Sequence, residues 1–300
     1  MSGAATDAVS AQSKLVKLTQ RRLEKYATLL PRVLVSDDPE TVHDLRVASR
    51  RLQQVLRVVA PIAPAKSIKK LTAALRRVRQ TLGPCRDLDV NLALLDAKPE
   101  QSAGGSVQRA WQSMADELAS QRRALIARSR HDIAAQDLFK FINRVQSLLV
   151  PQESDFEPLE QITAAMAKAM EGWRKSFEAA RERPDPAALH ALRIAGKKLR
   201  YRAELLADLG QAKVRPLVKT LQAIQTALGD WHDRSVLLHR VAEFIGRPGF
   251  LADHPDIGRI LLAEMEKERL RGDAGLASML QLAAKVDEAW ATWKAGAAGE

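Results

Sequence analysis

The chain has 300 residues, a net charge of +11, and a composition that is 46% hydrophobic and 28% charged with only 4% aromatics. That length supports one large or two small well-buried cores, and abundant Ala, Leu, Arg and Glu favour helices packed on helices. The single Cys85 excludes an internal disulfide. No apolar run approaches the ~18 residues that span a bilayer, and the N-terminus lacks the basic-then-apolar pattern of a signal peptide, so the reading is a cytoplasmic protein with no membrane partner.

Apolar residues recur with the helical period almost throughout, and no strand pattern interrupts them. Turn signals cut the pattern into helices at about 8–31, 39–60, 65–96 (bent at Gly83-Pro84), 104–131 and 136–150. A second set runs at about 156–182, 186–209, 211–246 (broken near Gly229), 256–271 and 274–295. Loops are expected over 97–105 and 246–257, and Pro151–Asp155 joins the two sets. Each set reads as a four-helix bundle, give or take one short helix: residues 8–150 and residues 156–295.

The two sets repeat one another. D-P-E-T-V-H-D-L-R-V-A-S-R-R-L from Asp38 matches D-P-A-A-L-H-A-L-R-I-A-G-K-K-L from Asp185. His43 and His190 are 147 positions apart, as are Arg46 and Arg193. The dibasic Arg50-Arg51 becomes Lys197-Lys198. A second echo, at an offset of 146, sets Leu82-Gly83-x-x-Arg86-Asp87 against Leu228-Gly229-x-x-His232-Asp233. A period near half the chain length indicates two copies of one module. Asp38-Pro39 and Asp185-Pro186 are matched helix starts, with Asp as N-cap and Pro in the first helical position.

On a helical wheel His43, Arg46, Arg50, Gln54 and Arg57 share one face, opposite Leu45, Leu52, Val55, Leu56 and Val59. His190, Arg193, Lys197 and Tyr201 share the matching face of the second copy, opposite Leu192, Leu199, Ala203 and Leu206. The core is expected not to use the cations. The plainest account of such a face is solvation. A solvated face mixes signs, however, because like charges destabilise a helix. From Leu45 through Arg86 there are eleven Arg and Lys and no Asp or Glu. Such a field points to an anion. The next helix sets Lys69, Arg76 and Arg79 beside the stripe Leu71, Leu75, Val78 and Leu82; its counterpart has Arg215 and Lys219, with Gln222 and Gln225 replacing Arg76 and Arg79. An asymmetric site is therefore expected.

The paired H-x-x-R-[VI]-x-x-[RK]-[RK]-L helices, each followed by L-G-x-x-[RH]-D, resemble the CHAD domain, the conserved histidine α-helical domain, over about residues 8–295. The resemblance implies an all-α fold of two four-helix bundles related by a pseudo-two-fold axis. It implies a basic channel between them that binds inorganic polyphosphate, and it brings association of several members with polyphosphate granules. Carried over, it puts His43, Arg46, Arg50 and Arg51 with His190, Arg193, Lys197 and Lys198 in the channel. Arg57, Lys69, Arg76, Arg79, Arg86, Arg215 and Lys219 extend the set of polyphosphate-binding cations.

That ligand suits the residues: guanidinium forks and ammonium groups match non-bridging phosphate oxygens. Stacking aromatics of the kind single-stranded nucleic acid favours are nearly missing, Tyr201 alone joining the basic stripe. The expectation is a non-catalytic module with no cofactor and no metal, open to other polyanions, its protein partners not specified. The alternatives are a metal-dependent phosphohydrolase using Asp87, Asp89 and Asp233, and a nucleic-acid-binding protein. His131, His239 and His254 have no repeat partner and read as ordinary residues; Cys85 reads as packing, and the five Trp as core or hairpin contacts.

Overall fold

The computed structural model describes residues 2–96, 105–149 and 157–298. The described residues are all helical and include no strand. In chain order they form α1 (Ser2–Val35), α2 (Pro39–Val59), α3 (Ala65–Thr81), α4 (Gly83–Asp96), α5 (Gly105–Ala134) and α6 (Leu138–Gln146). There follow α7 (Pro158–Glu182), α8 (Pro186–Asp208), α9 (Arg215–Ile245), the single turn α10 (Phe250–Asp253) and α11 (Pro255–Ala298). The expected loop over 97–105 lies outside the described residues except for Gly105, which opens α5, and the junction Pro151–Asp155 lies outside them.

Helix starts follow the capping chemistry. The Asp38 carboxylate accepts from the Glu40 and Thr41 amides at 3.1 Å each, and Asp185 accepts from the Ala188 amide at 2.8 Å. Each satisfies N–H groups that the first turn leaves unpaired.

The chain breaks at the bend expected near Gly83-Pro84, and other helix boundaries differ from the sequence reading. The chain from 65 to 96 is interrupted at Leu82, where Pro84 has no N–H to continue the ladder. The second copy has Asp230 at that place, and α9 runs unbroken through Gly229. The expected gap between 271 and 274 is also absent. Gly272 lies within the 44-residue α11, where Arg269 pairs with Glu266 and Asp273 at 2.7 Å each, spanning the glycine. The expected loop over 246–257 contains α10 and the start of α11.

The leucine stripes are buried as the periodicity requires. Leu45, Leu52, Val55, Leu56, Leu192 and Leu199 are wholly inaccessible. α1 packs on α2 and α2 on α3, just as α7 packs on α8 and α8 on α9; α11 completes the second set against α9. The buried side chains form three clusters. One joins α2, α3 and α6 with the C-terminal part of α1. A second, centred on Trp173, fills α7, α8, α9 and α11, and takes in Leu15, Leu18, Val55 and Val59 from the N-terminal region. A third places Leu88, Met114 and Leu118 against Leu237, Val241 and Leu261. Apolar burial thus ties α1 and α2 to α7, and α4 and α5 to α9 and α11.

Candidate basic cleft

The capped starts of α2 and α8 fix the phase of both motif helices, so their basic faces meet where the two helices touch. Arg50 crosses the junction: its guanidinium donates to the Tyr201 hydroxyl at 2.6 Å and lies 5.6 Å from that ring's centroid. Arg200 sits 4.7 Å from the same ring and pairs with Glu204 at 2.8 Å. Arg50, Arg57, Arg79, Lys197, Lys198 and Tyr201 line a cleft of about 240 Å³ between α2, α3 and α8.

Beneath this cleft the cations are held by backbone and amide oxygens rather than carboxylates. Arg46 donates to the Arg79 carbonyl. Arg79 donates to the Ser49 hydroxyl at 3.3 Å and to the Gln53 side-chain oxygen. In the second copy Gln225 replaces Arg79 and donates to the Arg193 carbonyl at 3.3 Å. Gly196 replaces Ser49, because a Cβ there would lie 2.5 Å from Gln225 Nε2 and 2.9 Å from the Trp173 ring. Arg193 Nε and Gln225 Oε1 are buried without a hydrogen-bond partner among the described residues.

The electrostatics are those of crowded positive charge. Burial, followed by the charges of Arg50, Arg46, Arg57 and Arg76, brings Arg79 down to about 10. Burial, then Arg193, Arg50 and Arg200, brings the Lys197 ammonium down to about 7, with Asp233 opposing. Arg46 and Arg193 are lowered by burial and by Arg50; Asp87 favours the charged form of both. Asp233 is itself raised by burial, against the pull of Arg193. Among the described residues, none of Arg46, Arg50, Arg79, Arg193 and Lys197 has an ion-pair partner.

The histidines stand at the ends of this field. His43 is pushed down by burial and then by Arg86, which sits 3.7 Å from Glu40. His232, the counterpart of Arg86, lies with its ring centroid 5.8 Å from that of His190. It is lowered by burial, Arg193 and His190. His190 and His232 open onto a hollow of about 580 Å³.

The CHAD family model, described as "CHAD domain", matches residues 17–242, about three quarters of the sequence. The chain belongs to the CHAD domain family. Polyphosphate binding is a known property of this family. A crystal structure of the CHAD domain from the plant Ricinus communis is similar with a TM-score of 0.63 and 21% identity, over 90% of this chain and 91% of that one. PptA from Streptomyces chartreusis is similar with a TM-score of 0.68 and 14% identity, over 91% of this chain and 99% of that one. At these identities the likeness shows the fold. Comparison with curated proteins returned no match.

Within this CHAD fold the cations singled out in the sequence separate into groups. Arg46, Arg50, Arg79, Arg193 and Lys197 converge, with Arg57 and Lys198 at the rim. Arg51 faces elsewhere, into a separate cleft of about 600 Å³ beside Arg22, Lys25, Glu204 and Asp208. Lys69, Arg215 and Lys219 are exposed and outside the converging set; Arg76 is exposed but its charge is felt at Arg79. The expectation that the fold does not use the cationic face is corrected: Arg46 and Arg79 are tied into backbone and amide bonds, and Lys197 is largely enclosed.

Asp89, a candidate metal ligand in the alternative reading, is buried against Arg122 at 2.5 Å, and Arg122 also donates to the Asp37 carbonyl. No group of three or more His, Cys, Asp or Glu converges as a metal-holding set among the described residues. No described helix is long and apolar enough to cross a membrane. The sequence reading missed Ser49, Gln53 and Arg202. Ser49 and Gln53 flank Arg50 on the α2 face toward α3, a side visible only once α3 is in place.

Proposed function

We propose that this CHAD protein is a non-catalytic binder of inorganic polyphosphate, which lies along the cleft where α2, α3 and α8 meet. The observation that carries this reading is five part-buried cations, Arg46, Arg50, Arg79, Arg193 and Lys197, drawn from both copies of the motif and lacking ion pairs within the described chain. Holding unanswered charge together costs folding free energy, and an incoming polyanion removes that cost. The buried Arg193 Nε has no hydrogen-bond partner among the described residues, which adds to the unanswered polarity beneath the cleft. Polyphosphate supplies a continuous row of acceptors with no bases to read, which suits a site built from guanidinium groups. The two motif copies form the two walls of the cleft, in keeping with one pseudo-symmetric module of residues 8–150 and 156–295. A protein that holds long chains this way would sit on polyphosphate granules.

The test is titration of the full chain with long-chain polyphosphate, triphosphate, single-stranded DNA and RNA at two salt concentrations. Long polyphosphate should bind tightest, because only a long chain engages both walls at once. Equal affinity for triphosphate would replace the extended cleft with a compact pocket. Phosphate release with Mg²⁺ or Mn²⁺ present, abolished by Asp87→Ala or Asp233→Ala, would replace binding with hydrolysis.

A further inference from the structure

Beside the basic cleft, between α2, α7 and α8, lies a smaller pocket of about 180 Å³. Its floor is apolar: Ile162 and Leu205 are each only 2% exposed, with Val58 and Ala165 next to them. Its rim carries Arg57, Lys198 and Arg202, and the amides of Gln54 and Gln161. The pocket and the cleft share Gln54, Arg57, Lys198 and Tyr201, so one ligand can occupy both. We infer that this pocket receives the nucleoside end of a nucleoside polyphosphate whose phosphate chain lies in the basic cleft, an inference that rests on the polyphosphate reading of that cleft.

An apolar floor is of no use to bare polyphosphate, whose charged oxygens lose solvation against Ile162 and Leu205. The volume is below that of a site for a whole drug-sized ligand and suits one ring system. The planar guanidinium groups of Arg57 and Arg202 can stack on a flat base. The amides of Gln54 and Gln161 each offer donors and an acceptor to base edges. Arg202 is fastened by a 2.7 Å bond from Nη1 to the Lys198 carbonyl. No ion pair engages Arg57, Lys198 or Arg202 among the described residues.

The repeat does not demand this pocket. The motif counterparts of Lys198 and Arg57 are Arg51 and Glu204, and these line the separate cleft against α1. That cleft contains Asp44, Glu204, Asp208 and the Arg22–Asp208 pair at 2.6 Å, so the chain itself answers its cations. Among the described residues no carboxylate lines the pocket against α7, and its floor is apolar.

The experiment compares adenosine 5′-tetraphosphate with inorganic tetraphosphate by calorimetric titration of the full chain. The two ligands have equal numbers of phosphate groups, and the nucleotide has the lower charge, so electrostatics alone favours the inorganic ligand. The nucleotide is expected to bind about tenfold tighter, the return from burying one ring. Ala165→Trp fills the pocket and should erase that preference while long-chain polyphosphate binds as in the wild type. If Ala165→Trp perturbs the fold and long-chain binding is lost, Gln161→Ala decides, and should weaken the nucleotide alone. Equal affinities for the two tetraphosphates, or a preference untouched by both substitutions, overturns the inference and leaves the polyphosphate reading standing. Absence of binding to any of the three ligands overturns both.

Discussion

Arg50 and Tyr201, 151 residues apart in sequence, are joined by a 2.6 Å hydrogen bond in which the guanidinium donates to the phenolic oxygen. It links the basic face of α2 to that of α8 and points Arg50 into the cleft. A double-mutant cycle of Arg50→Ala and Tyr201→Phe, read by urea unfolding, should give a coupling of about 1 kcal/mol. Additive effects would show that the bridge does not hold the two helices together.

The second prediction ranks the cations. Arg50→Gln and Lys197→Gln should each lower polyphosphate affinity about tenfold or more and reduce the slope of log K against log salt by about one. Lys69→Gln, Arg215→Gln and Lys219→Gln change exposed charges outside the converging set and should cost two- to threefold at low salt, about the reach of screened charge. Arg46→Gln is a poorer probe, because it removes the donor to the Arg79 carbonyl and should lower Tm as well. Affinities by fluorescence titration at two salt concentrations separate the classes. Equal losses across both would assign binding to the general field of the protein.

Much of this arrangement was legible in the sequence, for local reasons. Periodicity alone separates Leu45 and Leu52 from Arg46 and Arg50, and Asp-Pro marks both helix starts. What could not be read depended on contacts between distant segments. Nothing local tells that Val55 and Val59 pack with Trp173, or that α4 packs on α9. The dipeptide Arg50-Arg51 is one signal in sequence, yet a 100° turn of the helix sends Arg51 to a different cleft. The wheel also set the cations opposite the core without revealing that α3 encloses Arg46 and Arg79.

The third prediction concerns pH. Lys197 in the free protein is lowered to about 7 from the ordinary 10.5. A lowered base opposes folding when charged: the penalty is full below pH 7 and fades as pH rises toward 10.5, so this group alone makes the unliganded protein more stable at alkaline pH. Bound polyphosphate raises the same pKa. The gain in affinity is then complete below pH 7 and is lost as pH climbs through the pKa of the complex, by at most about tenfold per pH unit per proton. Affinity should fall between pH 7 and 9. Lys197→Arg, charged throughout, should flatten that window. His43 and His232, both lowered by burial and cations, should add a second strengthening as pH falls below about 6.5. That phase should disappear in His43→Ala/His232→Ala. An unchanged slope in Lys197→Arg would place the titrating proton elsewhere.

The last prediction separates two glycines of the second copy, one standing where the first copy has Ser49 and the other matching Gly83. Gly196 and Gly229 each lie within a motif helix, in α8 and α9, and neither has positive φ. Alanine at either position therefore gains helix propensity of roughly 0.8–1 kcal/mol. What differs is the space around them. A Cβ at Gly229 meets nothing within 4 Å. Gly229→Ala should therefore stabilise the protein by about that propensity gain. A Cβ at Gly196 would lie 2.9 Å from the ring of Trp173, which is wholly buried at the centre of the largest core cluster, and 2.5 Å from Gln225 Nε2. The amide can swing aside at the cost of its bond to the Arg193 carbonyl, but the indole is packed on all sides and must move with its neighbours. Overpacking of this kind costs typically 1–3 kcal/mol, which outweighs the propensity gain. Gly196→Ala should lower Tm and, by displacing Gln225, loosen the backbone that carries Arg193, weakening polyphosphate binding several-fold. Thermal unfolding of both variants, with a titration of each, reads the two effects together. A Gly196→Ala protein as stable as Gly229→Ala would mean that Trp173 is free to give way and that the second wall of the cleft is softer than its packing implies.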